Sequence, residues 1–169
     1  MPILLDTHAV LWYVESDSSL SANAKAIIDT KKNLFFSIAS LWEIAIKLNV
    51  GKLQIASSFS QLLIRLEFLN VEILPINTED LDTYIGLPLS KNHRDPFDRI
   101  LVAQSINHSF PILSRDEKFD LYPVRRVWAW ARQKSIAEYL YSPHTRHKFK
   151  TKPGKTPSPD NSAGFDNTS

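Results

Sequence analysis

Over the first 128 positions, short apolar runs alternate with longer stretches in which apolar residues recur every three or four residues. A short apolar run suits a buried strand, and the wider spacing suits a helix with one face against a core. Ile3 to Leu5 is the first such run, followed by Leu34 to Ser37, Val71 to Leu74, Pro111 to Leu113 and, last, Val124 to Trp128. Between them the spacing predicts helices near His8 to Glu15 and from Ser21 through Ala24, Ile27 and Ile28. Further helices are predicted over Ile38 to Leu48 with a stop near Gly51, over Phe59 to Leu69, from Thr78 to Tyr84, and from Asp95-Pro96 to about His108. Strands interleaved with helices predict an α/β fold, with a mostly parallel central sheet covered by helices on both faces.

Composition narrows the classes. The 169 residues are 43% apolar and 22% charged, enough for one real core. No stretch approaches the roughly 18 apolar residues a membrane helix needs. The opening MPILLDTHAV lacks a basic start and a cleavable apolar stretch, so a cytoplasmic protein with no membrane role is expected. Cysteine is absent, which excludes disulfide frameworks, thiol nucleophiles and cysteine zinc sites, and leaves oxygen or imidazole to hold any metal. The net charge of +2 hides a division: residues 1 to 128 hold 13 of the 20 Lys and Arg but 15 of the 18 Asp and Glu. From Ser142 onward the chain is poor in aliphatics and rich in Pro, Ser, Thr and Lys, a composition that cannot offset the entropy of ordering. A compact domain over residues 1–130 is therefore expected, then a basic Pro/Ser/Lys-rich tail over 131–169, largely disordered.

The acids carry the chemistry. In an open parallel sheet, ligands sit beyond the carboxyl ends of the strands. Asp6 follows the first strand directly, and Asp116 lies three residues after Leu113. Glu43 and Asp98 fall in early turns of two strongly apolar helices, where a carboxylate must find a cation, donors or water. Two unit charges about 4 Å apart interact by about 4 kcal/mol at an effective dielectric near 20. Four converging acids must therefore bind protons, move apart, or take a hard divalent ion such as Mg²⁺ or Mn²⁺. Each acid also has a bland explanation. Ser40-Leu41-Trp42-Glu43 matches a capping box. Asp95-Pro96-Phe97-Asp98 reads as a helix start with Asp95 as cap and an acid in the first turn, and Asp116 suits a turn. Asp6 is harder to dismiss, because Asp is disfavoured in strands.

Taken together, LLDTHAVLW, SIASLWEIAIKLNVGKL, HRDPFDRILVAQS and PILSRDEKFDLYPV resemble the PIN-domain family, in particular the VapC-like ribonucleases of bacterial toxin–antitoxin pairs. The resemblance runs over residues 2 to about 128 in the family's order and spacing. It implies a PIN-like three-layer fold and a Mg²⁺- or Mn²⁺-dependent endoribonuclease with an acidic pocket. Carried over one at a time, the pocket acids are Asp6, Glu43, Asp98 and Asp116, as catalytic and metal-holding residues. Ser114 stands where the family often supports the last acid, Thr7 follows the first, and Asp95 is a peripheral candidate. The resemblance also implies an RNA substrate, a homodimer and a cognate antitoxin protein, with cleavage leaving a 5′-phosphate and a 3′-hydroxyl.

Such a site needs no side-chain nucleophile, because the cation activates water for in-line attack. A metal-free ribonuclease would want a histidine pair; His8, His93 and His108 are the domain candidates, and each reads as a surface or helix-end residue. Arg94, Arg99 and Arg115 flank the acidic motifs as candidates for RNA phosphates, with Lys47, Lys52 and the tail run His144 to Lys155 in support. Trp12, Trp42, Trp128 and Trp130 read as packing residues, any exposed one suiting a partner contact. Three other classes compete. An aspartyl phosphatase would place an acid two residues after Asp6, where His8 stands. A phospho-acceptor domain needs a lysine on a late strand, where Arg125 and Arg126 stand. A catalytically silent PIN-like protein would bind RNA or a partner only, and the presence of all four acids argues against it.

Overall fold

The short apolar runs become strands, and in the inner ones alternate side chains enter opposite layers of core. In the computed structural model, which describes residues 1–89 and 93–128, the strands are β1 (Ile3–Leu5), β2 (Leu34–Ser37), β3 (Val71–Leu74), β4 (Ile112–Leu113) and β5 (Arg126–Val127). All neighbouring pairs are parallel, in the order β3-β2-β1-β4-β5. Ile3, Leu5, Leu34, Phe36 and Leu113 join one core cluster, whereas Leu4 and Ile112 join the other. The period-two alternation of strands thus feeds both faces at once. Leu4, Leu34, Phe36 and Leu113 are 0% exposed, and fully burying such a side chain is worth about 1.5–3 kcal/mol.

The helices are α1 (Thr7–Val14), α2 (Ala22–Thr30), α3 (Ile38–Asn49), α4 (Phe59–Phe68), α5 (Thr78–Gly86) and α6 (Pro96–His108). Val10, Ile27 and Leu62 carry α1, α2 and α4 onto the first face, and Leu101 and Val102 carry α6 onto the second. Helices therefore cover both faces, as the α/β pattern predicted. A 3-10 helix (Glu117–Leu121) links β4 to β5.

Caps set the helix starts. Ser21, Ser58 and Asp95 accept from backbone N–H groups of the first turns of α2, α4 and α6, with Pro96 at the first helical position of the last. Two starts differ from expectation. Ser37, not Ser40, caps α3 by accepting from Ala39 N, so Ser40 and Glu43 lie inside the helix and form no capping box. Asn77, not Thr78, caps α5, its N–H donating to Asp80 Oδ2 at 3.0 Å.

The topology positions the site. From β1 the chain steps outward to β2 and β3, then returns through α5 and α6 to β4 on the opposite side of β1. The switch point lies between the carboxyl ends of β1 and β4, where loops diverge and leave a crevice. Asp6 N–H still bonds Leu113 O at 3.1 Å, so Asp6 and Ser114 leave the sheet side by side. Among the described residues no helix is long and apolar enough to cross a membrane. The expected disordered tail over residues 131–169, and Trp130, lie outside the described residues.

Candidate metal centre

Four elements aim acids into the crevice. Asp6, at the end of β1, is 3% exposed. Its Oδ2 accepts from Ser114 Oγ at 2.7 Å. Its Oδ1 is buried without a hydrogen-bond partner, with His8 Nδ1 4.0 Å away. Burial holds the Asp6 carboxyl above the usual carboxylate range, against the lowering effect of the Ser114 hydrogen bond. Ser114 Oγ also accepts from Asp116 N at 3.0 Å, so one hydroxyl ties together the acids that follow β1 and β4.

Asp116 caps the 3-10 helix, its Oδ1 accepting from Lys118 N at 2.9 Å, and Lys118 Nζ lies 3.7 Å from Oδ2. Glu43, 4% exposed on α3, accepts from Thr7 Oγ1 at 2.8 Å through Oε2 and from Lys47 Nζ at 2.5 Å through Oε1. Thr7 Oγ1 in turn lies 2.9 Å from Ser40 Oγ. Thr7 and Ser40 are thus the buried hydroxyls that seat Glu43, and Lys47, one turn on, neutralises it.

Asp98, in the first turn of α6, feels all the others. Burial first, then the negative charges of Asp6, Asp95, Glu43 and Asp116, push its carboxyl up to about 8. Asp95 contributes as an exposed helix cap, accepting from Phe97 N at 2.9 Å, at the margin of the cluster. Ligand-type atoms of His93, Asp98 and Asp116 lie within 4.8 Å of one another. The donors fit a hard divalent cation: carboxylate oxygens dominate, one buried oxygen lacks a hydrogen-bond partner, and burial and neighbouring acids raise one carboxyl to about 8. Beside them an open cleft of about 470 Å³ is lined by Asp6, His8, Trp12, Arg115, Asp116 and Glu117.

Three expectations need correction. His93 is neither a surface nor a helix-end residue: it is 2% exposed, hydrogen-bonded to Tyr122 and Asp98, and burial keeps its imidazole below the ordinary value. Arg99, a candidate for RNA phosphate, is 4% exposed and spends its guanidinium on Pro88 O at 2.8 Å, Leu87 O at 3.3 Å and Tyr84 O at 3.5 Å. A phosphate cannot reach it. Arg94 and Arg115 are exposed, the latter 5.9 Å from the Trp12 ring at the rim of the cleft. Trp42 is 61% exposed on the outer face of α3, against Phe97 at 5.6 Å, and does not pack in the core. His8 is exposed, and His108 lies at the far end of α6, about 15 Å from Asp98 along the helix, so these two offer no acid–base pair.

Arg99→Ala is accordingly expected to lower folding stability by about 2–4 kcal/mol, through unpaired buried carbonyls, with Arg99→Lys recovering little of it. Urea denaturation checks this; a variant as stable as wild type would return Arg99 to the surface candidates. Two residues that the sequence suggested for other tasks join the site instead: Ser40, read as a cap, and Lys47, read as support for RNA phosphate. They stand three before and four after Glu43 on one helix face, where side chains meet, and Lys47 Nζ is held by Glu43. Nothing local signals Tyr122.

The PIN domain family profile matches residues 3–124 of the chain. A comparison with curated proteins gives no significant match. Among solved structures, VapBC2 from Rickettsia felis, bound to a DNA fragment from its promoter, aligns with a TM-score of 0.51 at 15% identity, covering 75% of this chain and 98% of that one. FitAcB from Neisseria gonorrhoeae aligns at 0.54 and 20% identity over 77% and 99%. A toxin–antitoxin complex from Klebsiella pneumoniae aligns at 0.52 and 17% over 74% and 95%. At these identities the likeness is one of fold.

Proposed function

The chain belongs to the PIN domain family, and we propose that it is a divalent-metal-dependent endoribonuclease, the toxin of a toxin–antitoxin pair. The observation that carries this reading is the partnerless, buried Asp6 Oδ1 beside an Asp98 carboxyl pushed up to about 8. Such an arrangement is uncomfortable without a cation and ordinary with one. Asp6, Glu43, Asp98 and Asp116 would hold Mg²⁺ or Mn²⁺. When bound, the cation lowers the pKa of water and neutralises charge developing on the scissile phosphate.

The chain's own groups do the rest. Ser114 keeps Asp6 and Asp116 in register, and Thr7 holds Glu43. Arg115, over the open cleft, is placed to take an RNA phosphate next to the scissile one, with Arg94 as a second exposed candidate. The structural likeness to chains from toxin–antitoxin complexes supports an antitoxin partner. The exposed α3 residues Ile38, Trp42 and Ile46, one turn apart, support a homodimer built on that face.

The test is cleavage of RNA by purified full-length protein with Mg²⁺ or Mn²⁺, with and without chelator. Cleavage that requires metal and is lost with chelator is the expected result. Equal cleavage in excess chelator would remove the metal from the mechanism. Millimolar Mn²⁺ is also expected to raise the melting temperature, because binding favours the folded state.

A further inference from the structure

The open cleft beside the acids has a wall that the metal centre does not use. Among the described residues that line it, Asp6, Asp116 and Glu117 are acids, Arg115 alone carries a permanent positive charge, and Trp12 alone offers a broad neutral face, with His8 next to it. The helix α1 turns its sides to different surroundings. Val10, Leu11 and Val14 are buried in the first core cluster, whereas His8 and Trp12, one turn apart, line the cleft. Trp12 is half-buried and joins none of the core clusters formed by the described residues.

Three separate parts of the chain hold the Trp12 ring. His8 lies tilted against it at 5.8 Å, Trp128 meets it edge-on at 5.9 Å, and the Arg115 guanidinium carbon lies 5.9 Å from its centre. Trp128 is itself anchored, packing on the first core cluster while its carbonyl accepts from Ser21 Oγ at 3.2 Å. A large ring fixed before a ligand arrives loses little rotamer freedom on binding. RNA brings two chemistries to such a cleft: charged phosphates, which the acids repel and Arg115 attracts, and neutral bases, each with a π-face that stacks on an aromatic side chain. Bases within a duplex already stack on one another, so a protein ring takes an unpaired one. We propose that Trp12 stacks one unpaired nucleobase of the RNA whose backbone passes Arg115 and the metal centre.

The inference rests on the ribonuclease reading above and deepens it. Trp12 follows Asp6 by six residues, about 9 Å along α1, so the stacked base and the phosphate at the metal centre belong to one short stretch of substrate. The ring shares its cleft with Asp6 and Asp116, which favours RNA over a protein partner at this place. Stacking tolerates any base, so the subsite adds affinity for unpaired RNA without itself selecting a sequence.

The experiment uses the full chain with Ca²⁺, a hard cation that takes carboxylate oxygens. The probes are short labelled strands of equal length: oligoadenosine, oligouridine and an abasic ribose-phosphate strand, with their integrity checked on a gel. Fluorescence anisotropy reads affinity and its salt dependence, and circular dichroism checks the fold of each variant. Wild type is expected to bind both base-bearing strands about tenfold or more tightly than the abasic one. Trp12→Leu should narrow that preference to about threefold or less and leave abasic binding and the salt slope unchanged, while Trp12→Phe, which keeps a ring, should retain most of it. Arg115→Gln should do the reverse, lowering the salt slope by about 0.7 and keeping the base preference. Unlabelled oligoadenosine should quench tryptophan fluorescence in wild type but not in Trp12→Phe. Wild type that binds the abasic strand as tightly as the others, or quenching that survives Trp12→Phe, would overturn the stacking role. So would a folded Trp12→Leu with wild-type base preference, the result expected of a ring that only packs or meets a protein. If Trp12→Leu does not fold, the wild-type preference and the Trp12→Phe quenching decide. Metal-dependent cleavage without base preference would overturn the subsite alone; base preference through Trp12 without cleavage in Mn²⁺ would support the subsite and sink the nuclease reading.

Discussion

Asp98→Asn is expected to stabilise the metal-free protein at pH 9 by about 3 kcal/mol while abolishing RNA cleavage. The carboxyl titrates near 3.8 in an unfolded chain and at about 8 in the fold, raised by burial and by the acids around it. A raised folded value means that the folded state holds the proton more tightly. The associated stability is complete below pH 4, drains away as pH climbs, and is gone above pH 8. The full shift would correspond to about 5–6 kcal/mol at 1.36 kcal/mol per unit. The Asp98 side chain is 22% exposed, so solvent screening leaves about half of that as the realistic expectation. Urea denaturation from pH 5 to 9 without metal checks it. Wild type should weaken with rising pH and the Asn variant, left with only the raised Asp6 carboxyl, should weaken less and cross above it. A wild-type curve flat from pH 5 to 9, or a variant weaker at pH 9, would show that the acids do not crowd Asp98. Saturating Mn²⁺ should restore wild type at pH 9 and leave the variant nearly unmoved, since a ligand at a hundred times its Kd contributes about 2.7 kcal/mol.

Asp6→Asn is expected to lower cleavage by about a thousandfold or more, the cost of about 4 kcal/mol of lost transition-state stabilisation. The reason lies in the division of labour between its two oxygens. Oδ2 is engaged by Ser114 and keeps β1 and β4 in register, a task an amide oxygen performs equally well. Oδ1 is buried without a hydrogen-bond partner and is the oxygen that the proposed metal centre would place on the cation. The amide removes the charge that a cation wants and preserves the fold, so activity and stability should part company. Initial rates on single-stranded RNA, beside a melting curve of the same sample, read both. Cleavage within tenfold of wild type would take Asp6 out of the metal centre.

The strands and helices were legible in the sequence because their signals are local. Three apolar residues in a row at Ile3 and Leu34 make strands buried on both faces, Val71, Ile73 and Leu74 mark the edge strand around Glu72, and helical spacing from Pro96 to His108 makes a buried helix. From that alternation the parallel, two-faced sheet follows. Helix starts were less legible wherever two serines compete. Ser37 and Ser40 are chemically equal caps, and the register of β2 against β1 and β3 decides that the chain turns at Ser37.

The candidate site divides in the same way. That acids follow two neighbouring strands, and that others open two apolar helices, can be read from position alone, because strand ends and helix starts are local facts. What each neighbouring polar residue does cannot. Arg99 sits one residue after Asp98 and reads as a free cation, yet the carbonyls of Tyr84, Leu87 and Pro88 enclose it. His93 reads as a surface or helix-end residue, yet it is buried and hydrogen-bonded to Tyr122, twenty-nine positions away. Trp42 reads as core, yet its helix turns that face outward. Sequence alone determined the order of the elements and the residues that end them, since backbone preference and periodicity act over a few positions. Tertiary structure decided which charges are buried and which are paired, because desolvation and hydrogen bonding depend on groups that meet only after the chain has folded.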